Sequence, residues 1–110
     1  MKRVVATVIA AACLSVGLAA QDAKKIAAGK GLYEKGGCEK CHQIAGKGSK
    51  IAPLDGVGGK LKADEIKKWL TDPDEMTAKL PKKPVVKMKK VEMPDADLDA
   101  LAAYLSSLKK

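Results

Sequence analysis

Residues 36–42 read Gly36-Gly37-Cys38-Glu39-Lys40-Cys41-His42, and the C-x-x-C-H run at their end governs the reading of the whole chain. It is the attachment signature of c-type haem. Two thiols three positions apart reach two vinyl groups of one porphyrin and form thioethers. The next residue, His42, then offers an imidazole nitrogen to the iron. Other uses of such a pair fit less well. A structural zinc takes about four ligands, and beyond this motif the chain holds no further His and one further cysteine, Cys13. A redox dithiol of the thioredoxin kind sits near a βαβ pattern, and none is legible. The motif specifies one haem c, bound through Cys38 and Cys41, with His42 as a ligand to the iron.

Upstream of the motif, Asp22 caps a helix that runs to about Lys35. Ile26, Gly29 and Tyr33 share one of its faces, and Gly36-Gly37 ends it. Before that helix the chain changes character. Lys2 and Arg3 precede an apolar run from Val4 to about Leu18, and Ala19-Ala20 stand before the polar Gln21-Asp22. A positive flank, an apolar stretch and small residues make a secretory signal peptide, residues 1–20, cleaved after Ala20 or, as second choice, after Ala19. The run falls short of the roughly 20 residues that span a bilayer, so no permanent membrane anchor is expected. A lipoprotein reading through Cys13 is the weaker alternative, because the apolar stretch continues past it and no leucine sits three residues before it.

The remainder, residues 21–110, makes a single domain. Its aromatics are Tyr33, Trp69 and Tyr104, with no Phe. So small a chain buries a modest share of its surface. Haem supplies the missing apolar volume, and the protein without haem is expected not to fold stably. The net charge is +8, and removing Lys2 and Arg3 leaves 19 lysines against 13 acids. Nucleic acid is not expected as a partner, since no binding motif or interleaved aromatics accompany the charge.

Downstream of His42, residues 43–60 concentrate five glycines and Pro53 and read as a loop. A second helix is expected from about Ala63 to Thr71. Asp64 and Glu65 lie in its first turn, Lys67-Lys68 lie further along, and Ile66, Trp69 and Leu70 form its apolar face. Pro73 prevents it from continuing. Residues 72–92 lack a period and are expected to cover one face of the haem. A last helix is expected from about Asp95 to Leu108, with acids at its start and a stripe of Leu98, Leu101, Leu105 and Leu108. No strand pattern is visible.

With these elements in place, residues 22–110 resemble class I c-type cytochromes, the small single-haem electron carriers. The resemblance implies an all-α cytochrome c fold, three main helices with long loops wrapped around one covalently bound haem. Gly29 and Tyr33 look like the family's glycine and aromatic on the first helix, and Leu101 with Ala103-Tyr104-Leu105 looks like the matching last-helix segment. Gly29 would then face Leu101 and Tyr104. The stretch Ala52-Pro53-Leu54-Asp55-Gly56-Val57-Gly58 resembles the loop whose proline carbonyl accepts a hydrogen bond from the haem histidine, so the resemblance gives Pro53 that role toward His42. Trp69-Leu70-Thr71-Asp72-Pro73 resembles the helix end that sets an aromatic on the haem. Thioether attachment in this family implies export to the periplasm.

The sixth iron ligand is sought among Met76, Met88 and Met93. A thioether opposite histidine favours ferrous iron and raises the potential, which suits a carrier. Met93-Pro94 lies five residues before Leu98, directly against the last helix, where a packing role is expected. Met76 follows Pro73 too closely. Met88 leaves slack for the chain to enter the helix, and Pro84-Val85-Val86-Lys87-Met88 resembles the family's Pro-x-x-Lys-Met. Met88 is therefore the expected ligand, with Met93 the alternative.

Lys79, Lys82, Lys83, Lys87, Lys89 and Lys90 flank Met88 without an intervening acid. They read as a docking face for acidic redox proteins or, more plainly, as a solvated loop. The expected function is a monomeric periplasmic shuttle of single electrons and not an enzyme. The alternatives are an electron-accepting subunit of a periplasmic dehydrogenase, or a haem protein that binds small gases or turns over peroxide.

Overall fold

The computed structural model describes residues 22–109. The expected signal peptide and its expected cleavage site lie outside the described residues. Residues 22–35 are helical (α1), and the Gly36 N–H bonds back to the Leu32 carbonyl at 2.8 Å. Gly37 then turns left-handed at φ 69°, a backbone conformation that glycine adopts without strain. A single 3₁₀ turn, Cys38–Lys40, follows.

The expected loop between residues 43 and 60 carries more regular structure than its glycines suggest. Three short strands, β1 (His42–Ile44), β2 (Lys47–Gly48) and β3 (Ala52–Pro53), form a sheet in the order β2-β1-β3. β1 pairs antiparallel with β2 around a tight turn in which Ala45 (φ 52°) and Gly46 (φ 81°) are both left-handed. The Asp55 carboxylate accepts the Ala45 N–H at 2.8 Å and holds that turn. β1 pairs parallel with β3, His42 opposite Ala52 and Gln43 opposite Pro53. A one-turn helix, α2 (Val57–Lys60), closes the region.

α3 spans Ala63–Thr71, the bounds the sequence predicts. The Glu65 carboxylate accepts the Lys62 backbone N–H at its start. Pro73 ends α3 and also opens a further helix the sequence reading leaves out, α4 (Pro73–Ala78). The Asp72 side chain caps it by accepting the Glu75 N–H at 3.3 Å. α5 runs from Asp95 to Ser106, two residues short of the expected end. The domain is thus mostly helical, as expected, with a small sheet added.

The core joins α1, α3 and α5 through Tyr33, Ile66, Leu70, Leu98, Leu101, Ala102 and Leu105. Leu101 is fully buried. α1 meets α5 at Gly29, where a side chain would strike the Ala100 carbonyl and Tyr104. Tyr104 is an expected neighbour, and the Ala100 backbone lies against Gly29 as well. Lys67 on α3 reaches both Asp95 (2.8 Å) and Asp99 (2.7 Å) on α5. Among the described residues no helix is long and apolar enough to cross a membrane.

Candidate functional site

The motif starts where α1 stops, so the left-handed turn at Gly37 delivers Cys38 directly to the base of the core. Cys38 is half-buried and Cys41 exposed, and neither is part of a disulfide. Burial pushes the Cys38 thiol above its ordinary value, a backbone hydrogen bond opposes that rise, and the Glu39 carboxylate adds to it.

His42 is fixed by the sheet. Its Nδ1 donates to the Ala52 carbonyl at 2.8 Å. A carbonyl can only accept, so Nδ1 carries the proton and Nε2 keeps its lone pair for a metal. The resemblance had given this acceptor role to Pro53. The acceptor is instead one residue earlier, because the parallel register sets Ala52 across from His42 and moves Pro53 across from Gln43. Pro53 itself is exposed.

Cys38 and His42 open onto a cavity of about 290 Å³. Tyr33 of α1, Leu54 before α2 and Val57 of α2, Ile66, Trp69 and Leu70 of α3, and Leu101 and Leu105 of α5 form its walls. Thr77 of α4 adds a hydroxyl-bearing side chain. Trp69 thus shares this cavity with Cys38 and His42. The remaining wall comes from the segment after α4, through Leu80, Pro84, Val86, Met88 and Val91.

The three methionines separate in space. Met88 lines the same cavity as His42. Met93 lies in a different hollow with Thr71 and Leu98, and its Cε packs near Gly36. Met76 sits half-buried on α4, outside the cavity's wall. Among the described residues a single backbone bond returns the segment to the core: the Val91 N–H donates to the Leu70 carbonyl at the end of α3, 2.8 Å away. That clasp leaves residues 79–90 as a span across the cavity mouth with Met88 near its inner end.

The donor set fits haem c. A thiol, an imidazole with its outer nitrogen already engaged and a thioether share an otherwise apolar enclosure, and a second thiol stands in the same motif. Zinc fits poorly, since among the described residues no three His, Cys, Asp or Glu side chains gather to hold an ion.

Two polar features of the site carry no side-chain signal in the sequence or only an ambiguous one. The Ala52 carbonyl is a backbone group. Tyr33 reads as a packing aromatic, yet its hydroxyl is buried and has no hydrogen-bond partner. Burial pushes its phenol up to about 12. Outside the cavity, Lys79 pairs with Glu75 (3.5 Å) and Lys87 with Asp74 (3.8 Å), both acids on α4. Lys82, Lys83, Lys89 and Lys90 make no ion pair among the described residues. Val85 stands fully exposed between them.

The family model described as Cytochrome c matches residues 26–109. No curated protein and no solved structure matches the chain.

Proposed function

The chain belongs to the cytochrome c family of haem-containing electron carriers, and from that premise we propose that it is a periplasmic single-haem shuttle whose iron is held by His42 and Met88. The observation that carries this reading is the common cavity: His42, Met88 and Cys38 line one apolar space, and Met93 lines another.

When bound there, haem c supplies an iron that gains and loses single electrons. The chain's own residues supply the rest. Cys38 and Cys41 anchor the group covalently. The Ala52 carbonyl orients His42 and strengthens its Nε2 as a donor. Met88 contributes a thioether, which favours the reduced state. Ile66, Trp69, Leu70, Leu101 and Leu105 keep water out, so little solvent reorganises when the charge changes. The span 79–90 covers the open side and presents unpaired lysines to an acidic partner, which raises encounter rates without demanding tight binding.

Intact-mass measurement of the protein purified from the periplasm tests the attachment and the export together. The expected mass is that of residues 21–110 plus one haem. Cys38→Ala with Cys41→Ala should lose the added mass. A wild-type mass with no addition, or with residues 1–20 retained, contradicts the proposal.

A further inference from the structure

Two threonines close neighbouring helices, and their hydroxyls have different fates. Thr71, at the end of α3, donates back to the Lys67 carbonyl at 3.1 Å, the usual local outlet for a helical threonine. Thr77 of α4 does not take that outlet. Its hydroxyl makes no hydrogen bond among the described residues, although the residue is only 5 % exposed. Pro73 and Thr77 form the buried face of α4, while Asp74, Glu75 and Ala78 are exposed. Thr77 carries that face into the cavity wall. Unlike the Tyr33 hydroxyl, its oxygen is not sealed in packing. The surface it keeps opens into the cavity.

Nothing in the packing of α4 asks for that hydroxyl. Valine has nearly the same shape and would line an apolar wall without giving up hydrogen bonds to water. Polar groups removed from water are nearly always satisfied, by the chain, by a held water or by a ligand. The chain offers little here. Leu80, Pro84 and Val86, which continue the wall after α4, have no side-chain acceptor, and Met88 has only a thioether sulfur, a weak one. A water needs about two to four polar partners to stay, and this wall does not gather them around Thr77. The acceptor therefore enters with whatever fills the cavity.

A haem bound through Cys38 and Cys41 brings strong acceptors of its own. Its two carboxylates lie on the porphyrin edge remote from the vinyl groups that the thiols consume. The turn that bears Cys38 packs against β1 and β2, whereas α4 packs against α3, so Thr77 enters the cavity from a different element than the attachment. We infer that the Thr77 hydroxyl donates a hydrogen bond to one of these carboxylates and holds that edge of the porphyrin. This rests on the proposed haem site. A carboxylate drawn out of water needs donors to stay ionised, and Thr77 supplies one from within the wall. The bond also joins the bound group to the root of the 79–90 span, just past the end of α4 at Ala78. The span is then tied at one end to the porphyrin through Thr77 and at the other to the Leu70 carbonyl through Val91.

The test uses the haem-loaded protein with two variants: Thr77→Val, which keeps the shape and loses the donor, and Thr77→Ser, which keeps the donor. Resonance Raman scattering reads the propionate bending vibration, which moves when a carboxylate gains or loses a hydrogen bond. That band should shift in Thr77→Val and return toward its wild-type position in Thr77→Ser. Proton NMR of the reduced wild type should show a slowly exchanging hydroxyl resonance that cross-relaxes with the propionate methylenes and is absent in Thr77→Val. A bending band unmoved in Thr77→Val, or a hydroxyl resonance that cross-relaxes only with the Met88 methyl or with water, overturns the inference and leaves the haem site intact. A wild-type protein without haem overturns both.

Discussion

Gly29 and Ala100 bring α1 and α5 into backbone contact: a methyl group on Gly29 would run into the Ala100 carbonyl and lie 2.7 Å from the Tyr104 Cβ. This crossing places Tyr33, one turn further on, over Leu101 and the cavity. Gly29→Ala forces the helices apart and should cost about 1–3 kcal/mol or more, read as a lower denaturant midpoint. Gly31→Ala is the internal comparison. A Cβ there meets nothing within 4 Å, so the change should stabilise by about 0.5–1 kcal/mol through helix propensity alone.

Met88 and Met93 give opposite expectations. Met88→Ala should abolish the sulfur–iron band near the red end of the oxidised spectrum. Met93→Ala should keep that band and lower stability by less than the ~2–5 kcal/mol of a fully buried Met→Ala change, since Met93 is only half-buried against Gly36. Loss of the band in Met93→Ala alone would reverse the assignment.

The Lys67 bridge should have a pH signature. Lys67 holds the Asp99 carboxyl below the usual carboxylate range, and the hydrogen bonds it donates to Asp95 and Asp99 hold the Lys67 ammonium above its own. A depressed acid contributes stability above its unfolded-state value and loses it as pH falls through the folded one. A raised base contributes below its unfolded-state value and loses it as pH rises. The difference in stability between wild type and Lys67→Met should therefore be flat around neutrality. It should shrink below about pH 4, and, because these groups are exposed, it should be small and weakened by salt. A difference that persists undiminished in acid would remove the ion pair as its cause.

The lysines of the 79–90 span should not be equivalent. Lys79 and Lys87 are already drawn toward Glu75 and Asp74, whereas Lys82, Lys83, Lys89 and Lys90 are free to meet a partner. Replacing Lys82 and Lys83 with Gln should slow electron transfer with an acidic redox partner by about tenfold at low salt, and less as salt rises. Replacing Lys79 and Lys87 should do less. Equal effects, or rates indifferent to salt, would remove the docking role.

What could be read in the chain beforehand was what is local. Cys38, Cys41 and His42 announce themselves by spacing. α3 was legible to its ends because Asp64-Glu65 open it and Pro73 closes it. Asp72-Pro73-Asp74-Glu75 held an equally local signal for α4, a capping acid followed by proline at the first helical position. A proline read as a stop concealed a proline that also starts. The strands of residues 42–53 are two or three residues long, too short to show a period. The histidine's acceptor was misplaced by one residue because register, not residue type, selects a backbone carbonyl. Glu75 and Lys79 are an i,i+4 pair that follows once α4 is recognised, but nothing in the sequence says that Asp74 reaches Lys87, or that the Tyr33 hydroxyl lacks a partner. Those facts arise only when α1, α4 and the span after it are packed together.

The central claim is that His42 and Met88 together close both axial positions of one haem iron. The most direct test is the absorption spectrum of the mature protein, oxidised and reduced, with and without carbon monoxide. Sharp reduced c-type bands, a sulfur–iron band when oxidised and no response to the gas are the predicted result. A prompt spectral shift with carbon monoxide would mean an open sixth position and would contradict the account.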